Sequence, residues 1–253
     1  MADQVVAKLR PEDTKHATGT RALSSVVRAL ATLDMVGEAV QPVRISDLAR
    51  QLGTSRARIH QQFATLAEAG WMERLPDGSY CLTLRPVRLA QAALRQAGIS
   101  KRLTPWLETL SARTHEAVSL AILDGDAACI VQRIEPERPL SANYRLGSRL
   151  PLDTSASGRV LAAFVGENEL ARLNARGIKL PAPAELESVR SSQFAVATDP
   201  DGDGVAAVAV PIMVASSTLL HAVSVAGPAS RFDLERATFE IASFRDRIKC
   251  ELG

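Results

Sequence analysis

The chain has 253 residues, more than one average domain, and 46% of them are apolar, enough to build cores for two compact folds. Its 30 basic and 28 acidic side chains leave a net charge of +2, so no global field recruits nucleic acid and any basic surface has to be local. Cys81, Cys129 and Cys250 are far apart and lack the CxxC or Cys/His spacing of a metal site or a disulfide framework, which predicts no metal, no cofactor and reduced thiols in a cytoplasm. The first twenty residues lack the apolar core of a signal peptide and no apolar run is long enough to cross a bilayer, so the expectation is a cytoplasmic protein without a membrane partner.

Residues 1–20 are polar and short of large hydrophobes, which predicts a flexible arm. From Arg21, "RALSSVVRALATLDMVGEA" repeats Leu23, Val26 or Val27, Leu30 and Leu33 at helical spacing and predicts a first amphipathic helix. "ISDLARQLG" predicts a short second helix with Ser46 as N-cap, Leu48, Ala49 and Leu52 on one face and Gly53 as the stop. Thr54 or Ser55 can cap a third helix, in which Ile59, Phe63 and Leu66 share the buried side and Arg58, Gln61, Gln62 and Thr65 the polar one.

Helix, tight turn and helix is the helix-turn-helix plan, where the start of the second helix meets base edges in the major groove. Arg56 and Arg58 in that first turn oppose the helix dipole, at a cost of a few tenths of a kcal/mol unless an anion faces them, and phosphate or a guanine edge would be that anion. "WMERLPDGSYCLT" then offers two short β-compatible arms around Asp77–Gly78, the pair that favours a type I′ hairpin, and so predicts a wing. The candidate DNA-binding residues are Ser46 and Thr54 beside the turn, Ser55, Arg56, Ala57, Arg58, His60 and Gln61 on the recognition helix, and Arg74 and Tyr80 on the wing.

"PVRLAQAALRQAG" carries Val87, Leu89, Ala90, Ala93 and Leu94 in a helical pattern ended by Gly98, a linker helix, and "TPWLETLSARTHE" starts another with Thr104 as cap and Pro105 in its first turn. "AVSLAILDGDAACIVQRIE" predicts a hairpin about Asp124–Gly125, and "VAAVAVPIM" with "LHAVSVAGP" two central strands. Helices over 155–165, 167–176 and 231–251 complete an α+β fold rather than a doubly wound one. In "LPLDTSASGRVLAAF", Asp153, Thr154 or Ser155 caps a helix whose first turn, Ala156, Ser157 and Gly158, offers backbone N–H donors to an anion such as an effector carboxylate.

These blocks in this order resemble the IclR-type transcriptional regulators: "RALSSVVRALATLD", "ISDLARQLGTSRARIHQQFATLAEAGWMER", "GSRLPLDTSASGRVLAAF", "ELESVRSSQFAVATDPDGDGV" and "AVAVPI…AVSVAGP" span about Arg21 to Glu251. The resemblance implies a winged helix-turn-helix DNA-binding domain (21–85), a linker helix (86–101) and a GAF-like effector-binding domain (102–253), assembled as a homodimer or dimer of dimers on double-stranded operator DNA. It also implies that Val205, Ala207, Ser224 and Ala226 line the effector pocket. Where the family frequently has polar or thiol groups this chain has Ala197, Ala207 and Ala226, so a bulkier acid, aromatic or branched, is expected. Other departures are Ala57, Arg58 and Gln61 in the recognition helix, a shorter stretch between Leu173 and Leu186, and an acidic cluster reduced to Asp199, Asp201 and Asp203.

The Ser155/Ser157 pair suggests a hydrolase as the rival class. Yet His16, His60, His115 and His221 stand in no nucleophile-elbow context, and there is no phosphate loop, dinucleotide fingerprint or metal-ligand spacing. The expected function is a ligand-responsive DNA-binding regulator, repressor preferred, of a catabolic or metabolic operon that senses a small organic acid. The alternatives are a sensor module acting through protein partners and a small-molecule hydrolase.

Overall fold

The computed structural model describes residues 23–96, 103–136, 144–198, 204–213 and 220–252. The expected arm, His16, Arg21, Gly98 and the triad Asp199, Asp201 and Asp203 lie outside the described residues. The chain divides into two compact units, Met1–Ala93 and Leu94–Gly253.

The first unit is built from α1 (Ser24–Glu38), α2 (Ile45–Gln51), α3 (Arg56–Glu68), β1 (Met72–Arg74) and β2 (Tyr80–Leu82). As the spacing predicts, Ile59, Phe63 and Leu66 of α3 are buried, and Leu48 and Ala49 of α2 join them in one core. Helix α1 differs from expectation. It buries Ala31, Thr32, Met35 and Val36, while Leu23, Val26 and Leu30 are 71%, 50% and 57% exposed. The small core has room only for the C-terminal half of α1, so the apolar stripe of its first half is left uncovered.

Local chemistry sets the ends of the elements. Gly53, at φ +58°, takes the left-handed conformation that ends α2. Ser55 resolves the choice of cap, its Oγ accepting from the Arg58 amide at 3.3 Å. Ser46 is not a cap: α2 starts one residue earlier, after Arg44, and the Ser46 hydroxyl points to Asp47. The wing turn is not type I′ either. Gly78 alone has positive φ, and the Gly78 amide donates to the Leu75 carbonyl while the Leu75 amide donates to Ser79. Pro76 fixes the first corner of a type I turn and Gly78 supplies the left-handed residue after it, giving a three-residue loop.

Helix α4 (Arg85–Gln96) contains the division between the units and buries none of its residues. The second unit continues through α5 (Thr104–Thr114), β3 (Ala117–Asp124), β4 (Ala127–Ile134), β5 (Arg149–Leu150), α6 (Ala156–Phe164), α7 (Glu167–Ala175), α8 (Pro183–Ser192), β6 (Ala195–Ala197), β7 (Val205–Met213), β8 (Leu220–Pro228) and α9 (Leu234–Leu252). Thr104 begins α5 rather than capping it, and its hydroxyl instead accepts from Gln132 Nε2 at 2.7 Å.

The strands form one antiparallel sheet in the order β5-β4-β3-β8-β7-β6. One face packs Val118, Leu120, Val208, Val210, Val223 and Val225 against Leu107 and Leu110 of α5 and Ile241, Phe244 and Ile248 of α9. The other packs Ala121, Ala209 and Ala222 against Val160 and Ala163 of α6, with Leu173 of α7 and Leu186 and Val189 of α8 in the same core. Pairing slips by one residue between Leu120 and Ala121, where the partner jumps from Gln132 to Ile130. This bulge gives β4 an extra residue, so the strand's simple alternation does not carry across it. No helix among the described residues is long and apolar enough to cross a membrane.

Two glycines give opposite expectations for stability. A Cβ on Gly158 would stand 2.2 Å from the Pro151 carbonyl oxygen and 2.7 Å from Leu152 Cα, backbone atoms that cannot step aside. Gly158→Ala should therefore destabilise the protein by about 1–3 kcal/mol or more. A Cβ on Gly37, in exposed helix α1, meets only the tip of Leu82 at 3.4 Å. Gly37→Ala should stabilise by about 0.5–1 kcal/mol through helix propensity. Denaturant midpoints at constant slope distinguish the two outcomes.

Candidate nucleic-acid interface and effector face

Helix α3 opens with Arg56, Ala57 and Arg58, all exposed, as are His60 and Gln61 on later turns. The first turn contains no acidic residue, and neither arginine is among the ion pairs of the described residues. Two cations thus stand at the positive end of a helix dipole without a counter-charge. Gln62, expected on the polar side, instead turns inward, its Oε1 accepting from Thr32 Oγ1 of α1 at 3.4 Å. Thr54 is half-buried in the turn before α3.

On the wing, Arg74 is exposed and lies beside the tip, with one of its terminal nitrogens 3.7 Å from where a Cβ on Gly78 would be. Tyr80 is not on this surface. It is 5% exposed, its ring meets Phe63 edge-on at 4.9 Å, and its backbone bridges to Val43, so it belongs to the core. The three-residue strand is too short for alternation to have shown which way it faces.

Sequence reasoning missed Arg44, whose Nη2 lies 3.0 Å from Asp77 Oδ2 at the wing tip, both side chains being more than half exposed. The Asp77 carboxyl is held below the usual carboxylate range by the Ser79 hydroxyl and amide that donate to it, and by Arg44.

In the second unit, sheet register brings most of the expected effector residues together. Ala197 pairs with Ala207, Ala207 with Ala226 and Ala226 with Ala117, so four alanines cross β6, β7, β8 and β3 in one row. The next row runs Ala195, Ala209, Ser224, Ser119 and Arg133. Directly paired residues point to the same face of a sheet, and here it is the face that carries α6. Val205 lies on it too, at the start of β7 opposite Pro228.

Ser119 and Ser224 are buried at 2% and 6% exposure, and Arg133 Nη1 donates to Ser119 Oγ at 3.0 Å. Neither Ser119 nor Arg133 was expected. A lone cation inside an apolar strand was the available signal, but plain alternation from Ile130 turns Arg133 to the opposite face, and only the bulge brings it here.

The start of α6 is more self-sufficient than expected. Ser155 Oγ accepts from the Gly158 amide at 3.0 Å and donates to the Pro151 carbonyl at 2.6 Å, so this side chain is committed to the cap. Thr154 is exposed, whereas Ala156, Ser157 and Gly158 are buried. Arg159 ties the helix down through the Asp153 and Val196 carbonyls. Elsewhere, a cavity of about 170 Å³ lies beside the ion pair of buried Glu116 with Arg231, and one of about 460 Å³ lies between α5 and the end of β4. Cys81, Cys129 and Cys250 are free thiols, and no metal-binding cluster occurs among the described residues.

Known proteins match both units in order. The family described as "IclR helix-turn-helix domain" covers residues 25–76, and that described as "Bacterial transcriptional regulator IclR C-terminal" covers residues 91–247. The chain is similar to the HTH-type transcriptional regulator XynR of Escherichia coli (strain K12), 31% identical over 239 residues that span 90% of this chain and 93% of XynR. Among solved structures, the IclR family transcriptional regulator from Brucella abortus superposes with a TM-score of 0.79 at 19% identity, over 97% of this chain and 98% of that one. An IclR homolog complexed with 4-hydroxybenzoate, from Microbacterium hydrocarbonoxydans, gives a TM-score of 0.66 at 21% identity, over 88% and 98%. At these identities the two structures speak for the fold. With its helix-turn-helix and C-terminal regions both matched, the chain belongs to the IclR family of bacterial transcriptional regulators, which are DNA-binding proteins and not enzymes.

Proposed function

We propose that this protein represses a catabolic or metabolic operon, reading operator DNA through α3 and the wing and releasing or re-spacing its grip when a small organic acid occupies a GAF-like effector domain. The observation that carries the reading is the pair of exposed arginines, Arg56 and Arg58, at the N-terminus of α3 with no acid in the first turn. An arrangement that is unfavourable in the free helix becomes favourable against a polyanion. Ser55, Ala57, His60 and Gln61 complete the surface offered to base edges, and Arg74 flanks it as a phosphate contact.

For the effector, the support is the alanine floor with its serine row, Ser224 among them, and the capped start of α6 beside it. The 4-hydroxybenzoate carried by the Microbacterium homolog makes an aromatic acid a sensible first probe. In this reading α4 is the linker helix, and the uncovered stripes on α1 (Leu23, Val26, Leu30) and α4 (Val87 and Leu89, 55% and 50% exposed) are covered by a second copy of the chain. Two recognition helices then meet half-sites about one helical turn apart, and the effector selects among subunit arrangements.

Gel shifts on intergenic DNA next to the protein's own gene test the function directly. Arg58→Ala should weaken specific binding by about 1–3 kcal/mol and random-sequence binding much less. Arg74→Ala should weaken both and lower the salt slope by about one unit, and an unchanged slope removes Arg74 from the interface. For assembly, sedimentation of the wild type should give a dimer or tetramer, and Leu30→Glu should shift it toward smaller species. A wild-type monomer at micromolar concentration, with and without DNA, ends the half-site mechanism.

A further inference from the structure

The proposed effector face ends in a buried cation that neither the alanine floor nor the start of α6 explains. The Arg133 side chain is 4% exposed, although it carries a full charge and stands in the row of Ser119 and Ser224. Its Nη1 donates to Ser119 Oγ at 3.0 Å, its Nη2 donates to Glu135 Oε2 at 3.4 Å, and its Nε donates to Glu135 Oε1. The two partners differ in their access to water. Glu135 is 52% exposed and follows the last residue of β4, whereas Arg133 is held inside the sheet by its strand and by a buried serine.

A desolvated guanidinium requires an anion, and its fork of donors fits any carboxylate equally well. We infer that Glu135 is the resident occupant of Arg133 and that the carboxylate of an acidic effector displaces it, binding Arg133 beside Ser119 and Ser224 with its body over the alanine row. This rests on that face being the effector site.

The exchange is nearly balanced in charge, because one carboxylate leaves as another arrives. Glu135 also lines the 460 Å³ cavity, together with Glu108, Ser111 and His115, so the displaced side chain has space to turn toward α5. An amide of the same shape makes the exchange far less well, since it brings no charge to replace that of the carboxylate it displaces.

The test uses the full chain with matched acids and amides: benzoate and benzamide, 4-hydroxybenzoate and 4-hydroxybenzamide, isobutyrate and isobutyramide. Thermal shift selects the stabilising compounds and calorimetry measures Kd. At least one acid should stabilise the wild type while its amide does not. Arg133→Gln should weaken that acid roughly thirtyfold or more. Glu135→Gln, at a half-exposed position that tolerates change, should tighten it about three- to tenfold because the internal competitor is gone.

An acid Kd unchanged or raised in Glu135→Gln overturns the exchange, even where Arg133→Gln fails to fold. An amide that binds as tightly as its acid, or a series in which no acid stabilises the wild type, overturns carboxylate recognition. Ser224→Leu separates the two levels. If it leaves acid binding untouched, the ligand lies elsewhere and the effector-face reading falls too. If it blocks the acid while Glu135→Gln changes nothing, the face stands and the exchange alone is lost.

Discussion

Nine consecutive residue pairs join β7 to β8, and that ladder decides what every other element of the second unit can do. Side chains alternate with a period of two, so fixing one pair fixes which residues meet α5 and α9 and which meet α6. Valine and isoleucine fill the first face, where Val208, Val210, Ile212, Val223 and Val225 stand against long helices. Alanine and serine dominate the second, where α6 packs on Ala121, Ala209 and Ala222. A slip of one residue would bury bulky side chains under α6 and leave the other core half empty. The same constraint that holds the domain together therefore selects the small-residue surface proposed to bind effector.

The first unit runs on a different balance. Its core is small, and much of the apolar stripe of α1 remains uncovered, the surface proposed above to meet a second copy. Charge is arranged in the same spirit. Arg44 is partnered at the wing tip and Arg50 by Asp47, while Arg56 and Arg58 have no acid in their helical turn. Unsatisfied apolar surface and unsatisfied charge are thus kept on separate helices, α1 and α3, and each suits a different kind of partner.

The sequence was legible where one residue type dominates a periodic pattern. The i, i+4, i+7 spacing of Ile59, Phe63 and Leu66 and the turn glycines at 53 and 125 needed no tertiary information. It was less legible where the decision belongs to neighbours. Several hydroxyls could cap α3 or α6, and only the folded chain selects Ser55 and Ser155. Tyr80 has the chemistry of a DNA contact, but Phe63 claims its ring. Helix α8 went unassigned, although Pro183 in its first turn and Glu185, which accepts from the Ala182 amide at 3.0 Å, are both start signals. On the face proposed to bind effector, Ala197, Ala207 and Ala226 were named from family likeness and Ala117 was not, while Arg133 and Ser119 could not be found from pattern alone, because a bulge reverses the facing of β4 beyond Ile130.

That bulge bears on how far ligand preference transfers between relatives. An aligned pair of sequences can carry arginine at the same column of β4 and still present it to opposite sides of the sheet, if only one strand contains the additional residue. Side-chain identity and side-chain direction are inherited separately here. A relative with the arginine but a regular ladder would direct it toward the layer of α5 and α9, away from the face proposed to bind effector. Under the role proposed for Arg133, likeness of pocket residues carries over to ligand preference only where the bulge is shared as well.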